Sequence, residues 1–336
     1  MAKPTRVQKP TASSREPAPS SPSSPLVVVA IGGNSLIKDK DHQSVPDQWT
    51  AVKESCGHIV GLIERGWRVV ITHGNGPQVG FILLRSEMCR GKIHEVPLDS
   101  IGADTQGAIG YQIQQCLANE MTRRRISKRA VTVVTQTVVD AADPAFKKPT
   151  KPIGSFYTSA EASDRQRVEG WVMVEDAGRG WRRVVASPKP LEIVETPAIK
   201  KLVDDGFVVI AVGGGGIPVA RGADGRLSGC AAVIDKDFGS ALLARDIGAD
   251  TFLIQTAVEQ VCVAFGQPSQ KALSRLSVGE AREHLAAGQF PKGSMGPKIE
   301  ACCQFLDWGG RRAVITSLEK MTLALEGKAG TEIVGG

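Results

Sequence analysis

The chain has 336 residues, 42% of them hydrophobic and 23% charged, which is enough for a large buried core without disulfide bonds. Aromatic residues make up 5%, too few for a platform of stacked nucleic-acid bases. The sequence contains no run of about 18 apolar residues, the length that a membrane-spanning helix requires. The formal net charge is +6, and four basic residues against one acidic residue place half of it in the first 25 positions. The remainder is too weakly basic to indicate a nucleic-acid partner.

The cysteine and histidine patterns argue against disulfide and metal sites. The seven cysteines are an odd number without C-x-x-C spacing, and we interpret them as free thiols in a reducing cytoplasm. The five histidines form neither an H-x-x-x-H nor an H-E-x-x-H pattern, so we expect no zinc site. His73 lies in a glycine-rich loop, where we expect it to form hydrogen bonds rather than to act as a general base.

The first 25 residues differ in composition from the rest of the chain. They hold six of the 19 prolines and six serines, and they contain too little apolar surface to offset the entropy of ordering. We therefore predict a disordered basic tail at 1–25 and a folded domain at 26–336. The tail lacks the apolar core of a secretory signal; its composition overlaps with organellar transit peptides, but without their Arg-rich amphipathic periodicity. A cytoplasmic location is predicted, with organellar targeting as the second possibility.

From residue 26 onward, predicted strands alternate with predicted helices. The first strand, Leu26–Ile31, is an unbroken apolar run, which is typical of a strand buried on both faces of a parallel sheet. The other predicted strands are 68–72, 130–138, 207–212, 251–256 and 312–316. The predicted helices are 48–65, 77–90, 104–124, 197–204, 237–247, 278–287 and 297–308. The alternation predicts an α/β fold whose parallel sheet is covered by helices on both faces.

One insertion interrupts the alternation. The proline spacing of residues 143–152 is incompatible with a helix. Residues 171–174 and 181–185 are two short apolar stretches around the turn sequence 176–180, which predicts a β-hairpin. We therefore predict a small lid subdomain at about 140–190.

Three predicted strands run directly into glycine-rich loops, which begin at Gly32, Gly74 and Gly213. At the strand ends of such sheets, helix N-termini present free N–H groups to anions, and glycines allow phosphate oxygens to approach the backbone. The simpler interpretation is that the glycines only make tight turns. The sequence G-x-x-x-x-G-K-[ST] of P-loop NTPases is absent, and the run Gly213–Gly216 does not fit the G-x-G-x-x-G dinucleotide pattern.

Three lysines lie in loops or at a helix start: Lys151, Lys236 and Lys298. A lysine at a helix N-terminus is electrostatically unfavourable unless an anion is also present. Phosphoryl transfer requires positive charge distributed around the moving group, which three such lysines would supply; ordinary solvated lysines are the alternative. Asp235 and Asp237 flank Lys236 and could hold its ammonium in place. Two carboxylates are too few for a metal cage, so we expect any metal to arrive with a nucleotide.

Seven ordered motifs resemble those of carbamate kinases of the amino acid kinase superfamily, from Leu26 to the C-terminus. The motifs are Ile31-Gly-Gly-Asn34, Thr72-His-Gly-Asn-Gly-Pro-Gln78, Gly107-x-x-Gly110-Tyr111, Lys148-Pro-Thr-Lys-Pro-Ile-Gly154, Gly213-Gly-Gly-Gly-Ile-Pro218, Val233-Ile-Asp-Lys-Asp237 and Gly293-Ser-Met-Gly-Pro-Lys298. The resemblance implies an open three-layer αβα sandwich with a protruding lid, and a homodimer. It also implies reversible phosphoryl transfer between ATP and carbamate, giving ADP and carbamoyl phosphate, with Mg²⁺ carried by the nucleotide.

The resemblance also implies roles for individual residues. Lys151 would clamp the substrate from the lid, Lys236 and Lys298 would stabilise the transferring phosphoryl group, and Asp237 would orient these two lysines. Carbamoyl phosphate would bind to the first two glycine loops, at Gly32, Gly33, Asn34, Gly74 and Asn75. The nucleotide would bind at Gly213, Gly214, Gly215, Ala257 and Met295.

One segment departs from the family. Where the family usually reads Thr-Asp-Val-x-x-Val-Tyr-x-Asn, this chain has Ala257, Cys262 and Ala264 in place of the Asp, Tyr and Asn. Each lost hydrogen bond or carboxylate costs about 1–3 kcal/mol of nucleotide binding. Besides an active carbamate kinase, the sequence therefore leaves open a kinase-fold sensor or scaffold with impaired nucleotide binding. A kinase for a larger acid, such as an acylated amino acid, is less favoured because the substrate loops are short.

Overall fold

The fold is seen in a computed structural model that describes residues 24–32, 36–37, 39, 41–176, 178, 180–291 and 293–335. Residues 1–23 of the predicted disordered tail lie outside the described residues, as do Gly33 and Asn34. No helix in the described part of the chain is both long and apolar enough to span a membrane.

The described residues form seventeen strands and nine α-helices. The strands are β1 Leu26–Ile31, β2 Arg68–His73, β3 Ala130–Thr132, β4 Gln136–Val139, β5 Lys151–Tyr157, β6 Met173–Glu175, β7 Trp181–Val185, β8 Pro190–Ile193, β9 Val208–Ile210, β10 Ile217–Arg221, β11 Leu227–Gly229, β12 Thr251–Thr256, β13 Val261–Val263, β14 Lys271–Leu273, β15 Arg275–Ser277, β16 Arg312–Ser317 and β17 Thr331–Val334. The helices are α1 Val45–Glu64, α2 Gly76–Met88, α3 Leu98–Arg123, α4 Ser159–Glu169, α5 Thr196–Asp204, α6 Lys236–Asp246, α7 Val278–Ala286, α8 Met295–Asp307 and α9 Met321–Leu325.

Eight strands form the central sheet, in the order β15-β17-β16-β12-β1-β2-β9-β3. All neighbouring strands are parallel except β16 and β17, which pair antiparallel. The register places Val28 opposite Val70 on one side and Phe252 on the other, so β1 lies between two buried strands. A strand with neighbours on both sides and helices on both faces is apolar along its whole length, which accounts for the unbroken run at the start of the domain.

The two faces of the central sheet carry separate hydrophobic cores, and alternate residues of β1 belong to different cores. Val28 packs in the core that contains buried residues of α5, α6, α7 and α8. Val29 packs in the core that contains buried residues of α1, α3 and α9. Helices therefore cover both faces, and the predicted three-layer αβα sandwich is confirmed.

The insertion folds as a separate antiparallel sheet of order β5-β7-β6, with α4 between β5 and β6. The predicted hairpin is confirmed: Glu175 of β6 pairs with Trp181 of β7. The sequence did not predict α4, because Ala162 is its one buried residue and a helix that is polar all round carries no apolar periodicity. A four-stranded sheet of order β11-β10-β4-β8 lies next to this insertion along the chain.

Three predicted elements were wrong in their extent. The strand expected at 130–138 is divided between β3 and β4, because the Thr135 N–H donates to Gln106 Oε1 at 2.7 Å and draws the chain out of the central sheet. The strand expected at 207–212 ends at Ile210, since Val212 adopts a left-handed conformation with φ +52°. Helix α3 begins six residues earlier than expected, at Leu98, since Gly102 is accommodated within it.

Two glycines of α3 provide a matched test of packing against the edge strand β3. A Cβ added to Gly110 would lie 2.3 Å from Thr132 Cγ2, whereas one added to the exposed Gly107 would meet nothing within 4 Å. We expect Gly110→Ala to lower the free energy of unfolding by about 1–3 kcal/mol through overpacking. Gly107→Ala should raise it by about 0.5–1 kcal/mol, because alanine loses less entropy in a helix. Urea unfolding measures both, and a Gly110→Ala variant as stable as the wild type would contradict the packing described here.

Candidate active site

A cavity of about 370 Å³ opens where β1, β2 and β12 end at the carboxyl edge of the central sheet. The four predicted catalytic residues all line it: Lys151, Lys236, Asp237 and Lys298. Asp235 is the only other charged side chain among the described lining residues, so three lysines face two aspartates. The cavity therefore carries one excess positive charge, which suits an anionic ligand.

The Asp237 carboxylate joins two of these lysines. Its Oδ1 accepts a hydrogen bond from Lys236 Nζ at 2.6 Å, and its Oδ2 accepts one from Lys298 Nζ at 2.9 Å. The side chain of Asp237 is 4% exposed, and those of Lys236 and Lys298 are 12% and 16% exposed. An ammonium has three N–H groups, so each lysine keeps two for a ligand while the carboxylate fixes its position.

Burial and mutual attraction set the ionisation of this group. Burial alone would raise the pKa of Asp237, but the two ammoniums outweigh it and hold the pKa below its ordinary value. Burial lowers the pKa of Lys236 despite the attraction of Asp237, and the neighbouring Lys298 adds to the lowering. Burial also lowers the pKa of Lys298, but the attraction of Asp237 outweighs this effect and the pKa is raised above its ordinary value. Both lysines therefore depend on Asp237 to stay charged at this depth.

Lys151 reaches the cavity from β5 of the insertion. Its Nζ donates to Asp235 Oδ2 at 2.6 Å, while Oδ1 of the same carboxylate accepts the N–H of Asp237 at 3.0 Å. Asp235 is the N-cap residue of α6, so one carboxylate caps the helix and also holds the lysine of the insertion.

Helix α6 is anchored to the central sheet at the end that carries these groups. The Ser240 hydroxyl donates to the Lys236 carbonyl at 2.5 Å and accepts from the Thr72 hydroxyl of β2 at 2.6 Å. Next to Thr72, His73 is fully buried, and burial lowers its pKa to about 4. The ring is therefore neutral, and its Nδ1–H donates to the Gly74 carbonyl at 3.0 Å. This geometry agrees with the expected hydrogen-bonding role of His73.

The predicted substrate loops lie at the end of the cavity formed by β1 and β2. Gly32, Gly74 and Asn75 line it, whereas the predicted Gly33 and Asn34 fall outside the described residues. The Gly32 N–H donates to Gln255 Oε1 at 2.9 Å. Asn75 is the N-cap residue of α2, yet its side chain forms no capping hydrogen bond. The N–H groups of the first turn of α2 are thus left for an anion.

The four-glycine loop lies mostly behind the cavity rather than on its wall. Gly214 lines the cavity, and a Cβ there would come within 2.1 Å of Asn75 Nδ2. Gly213 and Gly215 are buried, and added Cβ atoms would collide with His73 and Ile234 respectively. These glycines therefore let the loop pack against Asn75 and against the segment that leads into α6.

A second cavity, of about 180 Å³, adjoins the first and shares Thr256, Ser294 and Lys298 with it. Its remaining described lining is largely apolar: Val258, Gln260, Cys262, Phe265, Phe290, Pro291 and Met295. Of the predicted nucleotide-binding residues, Met295 lines this second cavity and Ala257 lines the first. The combined space runs from a polar end at Asn75 to an apolar end at Phe290.

The described residues contain no cluster of three His, Cys, Asp or Glu side chains that could hold a metal ion. Both carboxylates that line the main cavity are already engaged by ammonium groups, Asp235 by Lys151 and Asp237 by two lysines.

Sequence reasoning missed two buried glutamines that organise the site. Gln255, on β12, accepts from the Gly32 N–H and donates to the Thr256 carbonyl at 3.1 Å. Gln106, on α3, donates to the Gly213 carbonyl at 3.0 Å and accepts from the Thr135 N–H. A polar residue within an apolar strand was the available signal for Gln255, since buried amides require hydrogen-bond partners.

Comparisons with known proteins match most of this chain to one family. A family model described as the amino acid kinase family matches residues 25–317. Carbamate kinase-like protein YahI of Escherichia coli (strain K12) is 51% identical over 312 residues, covering 92% of this chain and 98% of its own length. The carbamate kinase of Clostridium perfringens (strain 13 / Type A) is 49% identical over 316 residues, covering 92% and 99%. The solved structure of Giardia lamblia carbamate kinase bound to AMP-PNP matches with a TM-score of 0.87 and 41% identity, covering 94% and 99%. The chain therefore belongs to the amino acid kinase family.

Proposed function

We propose that this chain is a carbamate kinase, which transfers a phosphoryl group reversibly between ATP and carbamate. The observation that carries the proposal is the pair of ammonium groups held on one buried carboxylate, Lys236 and Lys298 on Asp237, where the two cavities meet. Relatives named carbamate kinase, 47–49% identical over most of the chain, support the choice of acceptor.

The two ends of the combined cavity suit the two substrates. The apolar end, at Phe290 and Met295, suits a nucleotide base, and the AMP-PNP complex of the Giardia lamblia enzyme supports a nucleotide as ligand. The end at Gly32, Gly74 and Asn75 offers the uncapped N-terminus of α2 and one carboxamide to the small polar carbamoyl group. The transferred phosphoryl group then lies between them, beside the lysines.

The lysines supply the electrostatic part of the reaction. In the direction of ATP formation, a β-phosphate oxygen of ADP bonds to phosphorus while the bond from phosphorus to the carbamoyl oxygen breaks and releases carbamate. Negative charge spreads over the oxygens of the moving group, and the free N–H groups of Lys236 and Lys298 stabilise it. Asp237 holds both ammoniums in place before the substrate arrives, so little reorganisation is needed.

Mg²⁺ is part of the same proposal, as a companion of the nucleotide phosphates. The donor set supports this, because the two aspartates that line the main cavity are occupied by lysines and the phosphates are the remaining hard oxygen donors. When bound, the ion would neutralise charge on the nucleotide.

We also propose a homodimer and a cytoplasmic location. Strand β3 forms one edge of the central sheet; Val134, two residues beyond it, and Tyr111, on the helix α3 that packs on it, are exposed apolar side chains. A second copy covering this edge would remove both from water. A reducing compartment suits the seven cysteines, all of which are free thiols.

The sensor or scaffold alternative is not favoured. Its motivation was the loss of hydrogen-bonding side chains at Ala257, Cys262 and Ala264, but the second cavity remains open and apolar. The lysines required for transfer are assembled around Asp237. Calorimetric binding of ADP, together with ATP formation from carbamoyl phosphate and MgADP, distinguishes the two: the wild type should do both, and a protein that does neither would overturn the proposed function.

Asp237→Asn tests the proposed role of the carboxylate. We expect kcat for ATP formation to fall at least about 100-fold, the size of effect typical of lost electrostatic preorganisation. Lys236 must be protonated to act, so activity is lost as pH rises through its folded-state pKa. Because Asp237 raises that pKa, its loss should move the alkaline limb of the pH profile of kcat to lower pH.

Asp307→Asn is the matched control, since Asp307 is exposed and pairs with Arg282 away from the cavity. It should leave both kcat and the pH profile unchanged. An Asp237→Asn variant with a wild-type pH profile would contradict the proposed role.

Cys262→Tyr tests the nucleotide end. The Cys262 side chain is half-buried and lines the apolar cavity, at the position where the family resemblance implies a tyrosine. We expect KM for ADP to fall at least about tenfold, equivalent to about 1.4 kcal/mol, with KM for carbamoyl phosphate unchanged. Cys262→Ser, which preserves size, should leave both constants unchanged. A change in KM for carbamoyl phosphate alone would contradict this assignment of the cavity.

A further inference from the structure

The carboxamide of Asn75 is held in one orientation by a chain of two hydrogen bonds. The Thr105 hydroxyl lies 2.8 Å from the Gly102 carbonyl oxygen and 2.9 Å from Asn75 Nδ2. A carbonyl oxygen can only accept, so the single hydroxyl proton of Thr105 goes to Gly102. The hydroxyl oxygen must then accept from Asn75, and only the NH₂ group of the carboxamide can donate to it.

The same orientation presents Asn75 Oδ1 to the cavity. Asn75 lines the cavity, whereas Thr105, on the other side of the carboxamide, is 1% exposed. Gly214 packs against the carboxamide and would leave no room for a Cβ. Among the residues whose positions the structure describes, none donates a hydrogen bond to Asn75 Oδ1, so this acceptor is free.

A free acceptor is unusual in this part of the cavity. The lysines and backbone N–H groups that surround it are donors, and the carboxylates of Asp235 and Asp237 are engaged by ammoniums. The carboxamide of Gln255 is used on both sides, by the Gly32 N–H and the Thr256 carbonyl. Asn75 Oδ1 is therefore an unengaged carbonyl-type acceptor at the substrate end of the described cavity wall.

The carbamoyl group has an amino group that needs such an acceptor. Acetyl phosphate has the same size and charge, but it carries a methyl group where carbamoyl phosphate carries NH₂. We infer that Asn75 Oδ1 accepts a hydrogen bond from the carbamoyl NH₂ group, and that Thr105 is the positioning residue that fixes this orientation. This inference rests on the proposed function and assigns substrate selectivity to a residue outside the cavity.

The Asn75 orientation also explains why an asparagine at an N-cap position leaves its helix uncapped. Asparagine is among the preferred N-cap residues, and its side chain ordinarily accepts from the N–H groups of the first turn. Here the contact with Thr105 turns the side chain away from α2. Without the Thr105 hydroxyl, the carboxamide would be free to rotate and to cap α2 with Oδ1, which would remove the acceptor from the cavity.

Thr105→Val tests the inference, because it preserves the shape of the side chain and removes the hydroxyl. The readout is the ratio of kcat/KM for carbamoyl phosphate to that for acetyl phosphate, each measured as ATP formation from MgADP. We expect the ratio to fall at least about tenfold, with the larger loss on carbamoyl phosphate, because one hydrogen bond to the substrate is lost. Thr105→Ser restores the hydroxyl and should restore the ratio.

Thr137→Val is the matched control. Thr137 is also fully buried, and its hydroxyl donates to the Gly215 carbonyl at 3.0 Å, so its loss perturbs the same glycine loop without contacting Asn75. This variant should keep the wild-type ratio even if its stability falls. Should Thr105→Val fail to fold, Asn75→Ala removes the acceptor itself and should lower the ratio in the same way.

The outcomes separate this inference from the proposed function. A wild-type protein that forms ATP from neither acyl phosphate overturns the proposed function. A wild type that is active but uses both acyl phosphates equally well, or a Thr105→Val variant with an unchanged ratio, overturns the role of Asn75 and Thr105 alone.

Discussion

The site depends on one interaction, the sharing of the Asp237 carboxylate between two buried ammonium groups. Two like charges within hydrogen-bond distance of the same carboxylate would repel each other without it, and burial already lowers the pKa of Lys236. One carboxylate cannot neutralise both lysines, so the group remains positively charged and ready for an anion. In the proposed function a phosphoryl group would supply the missing negative charge, so that the arrangement is better satisfied with its ligand than without it.

The fold brings these groups together through helix starts rather than through strands. Lys236 and Asp237 are the first two residues of α6, and Lys298 is the fourth residue of α8. Two helix N-termini pointing at one cavity add their partial positive charges to those of the lysines. The Thr72 and Ser240 hydroxyls fix α6 against β2, so the central sheet determines where the charges lie.

Much of this could be predicted from the sequence. Unbroken apolar runs such as β1 identified the buried parallel strands, and the three lysines singled out beside glycine loops all line one cavity. Local patterns could not locate the strand break after Thr132, because it depends on Gln106, which lies far away in sequence. The same limit applies to Gln255 and Thr105, whose roles come from partners brought close by the fold. The nucleotide-binding role of Gly213, Gly214 and Gly215 stays a prediction; the packing of Gly213 and Gly215 against buried neighbours depends on tertiary contacts, which local sequence does not reveal.

The central claim is that Lys236 and Asp237 act as one unit in phosphoryl transfer. A kinetic double-mutant cycle tests it most directly, by comparing kcat for ATP formation in Lys236→Met, Asp237→Asn and the combined variant. Residues that act as a unit give strongly non-additive losses. The account predicts that the combined variant is no slower than the slower single variant, to within about 0.5 kcal/mol of activation free energy. Losses that multiply in the combined variant would contradict it.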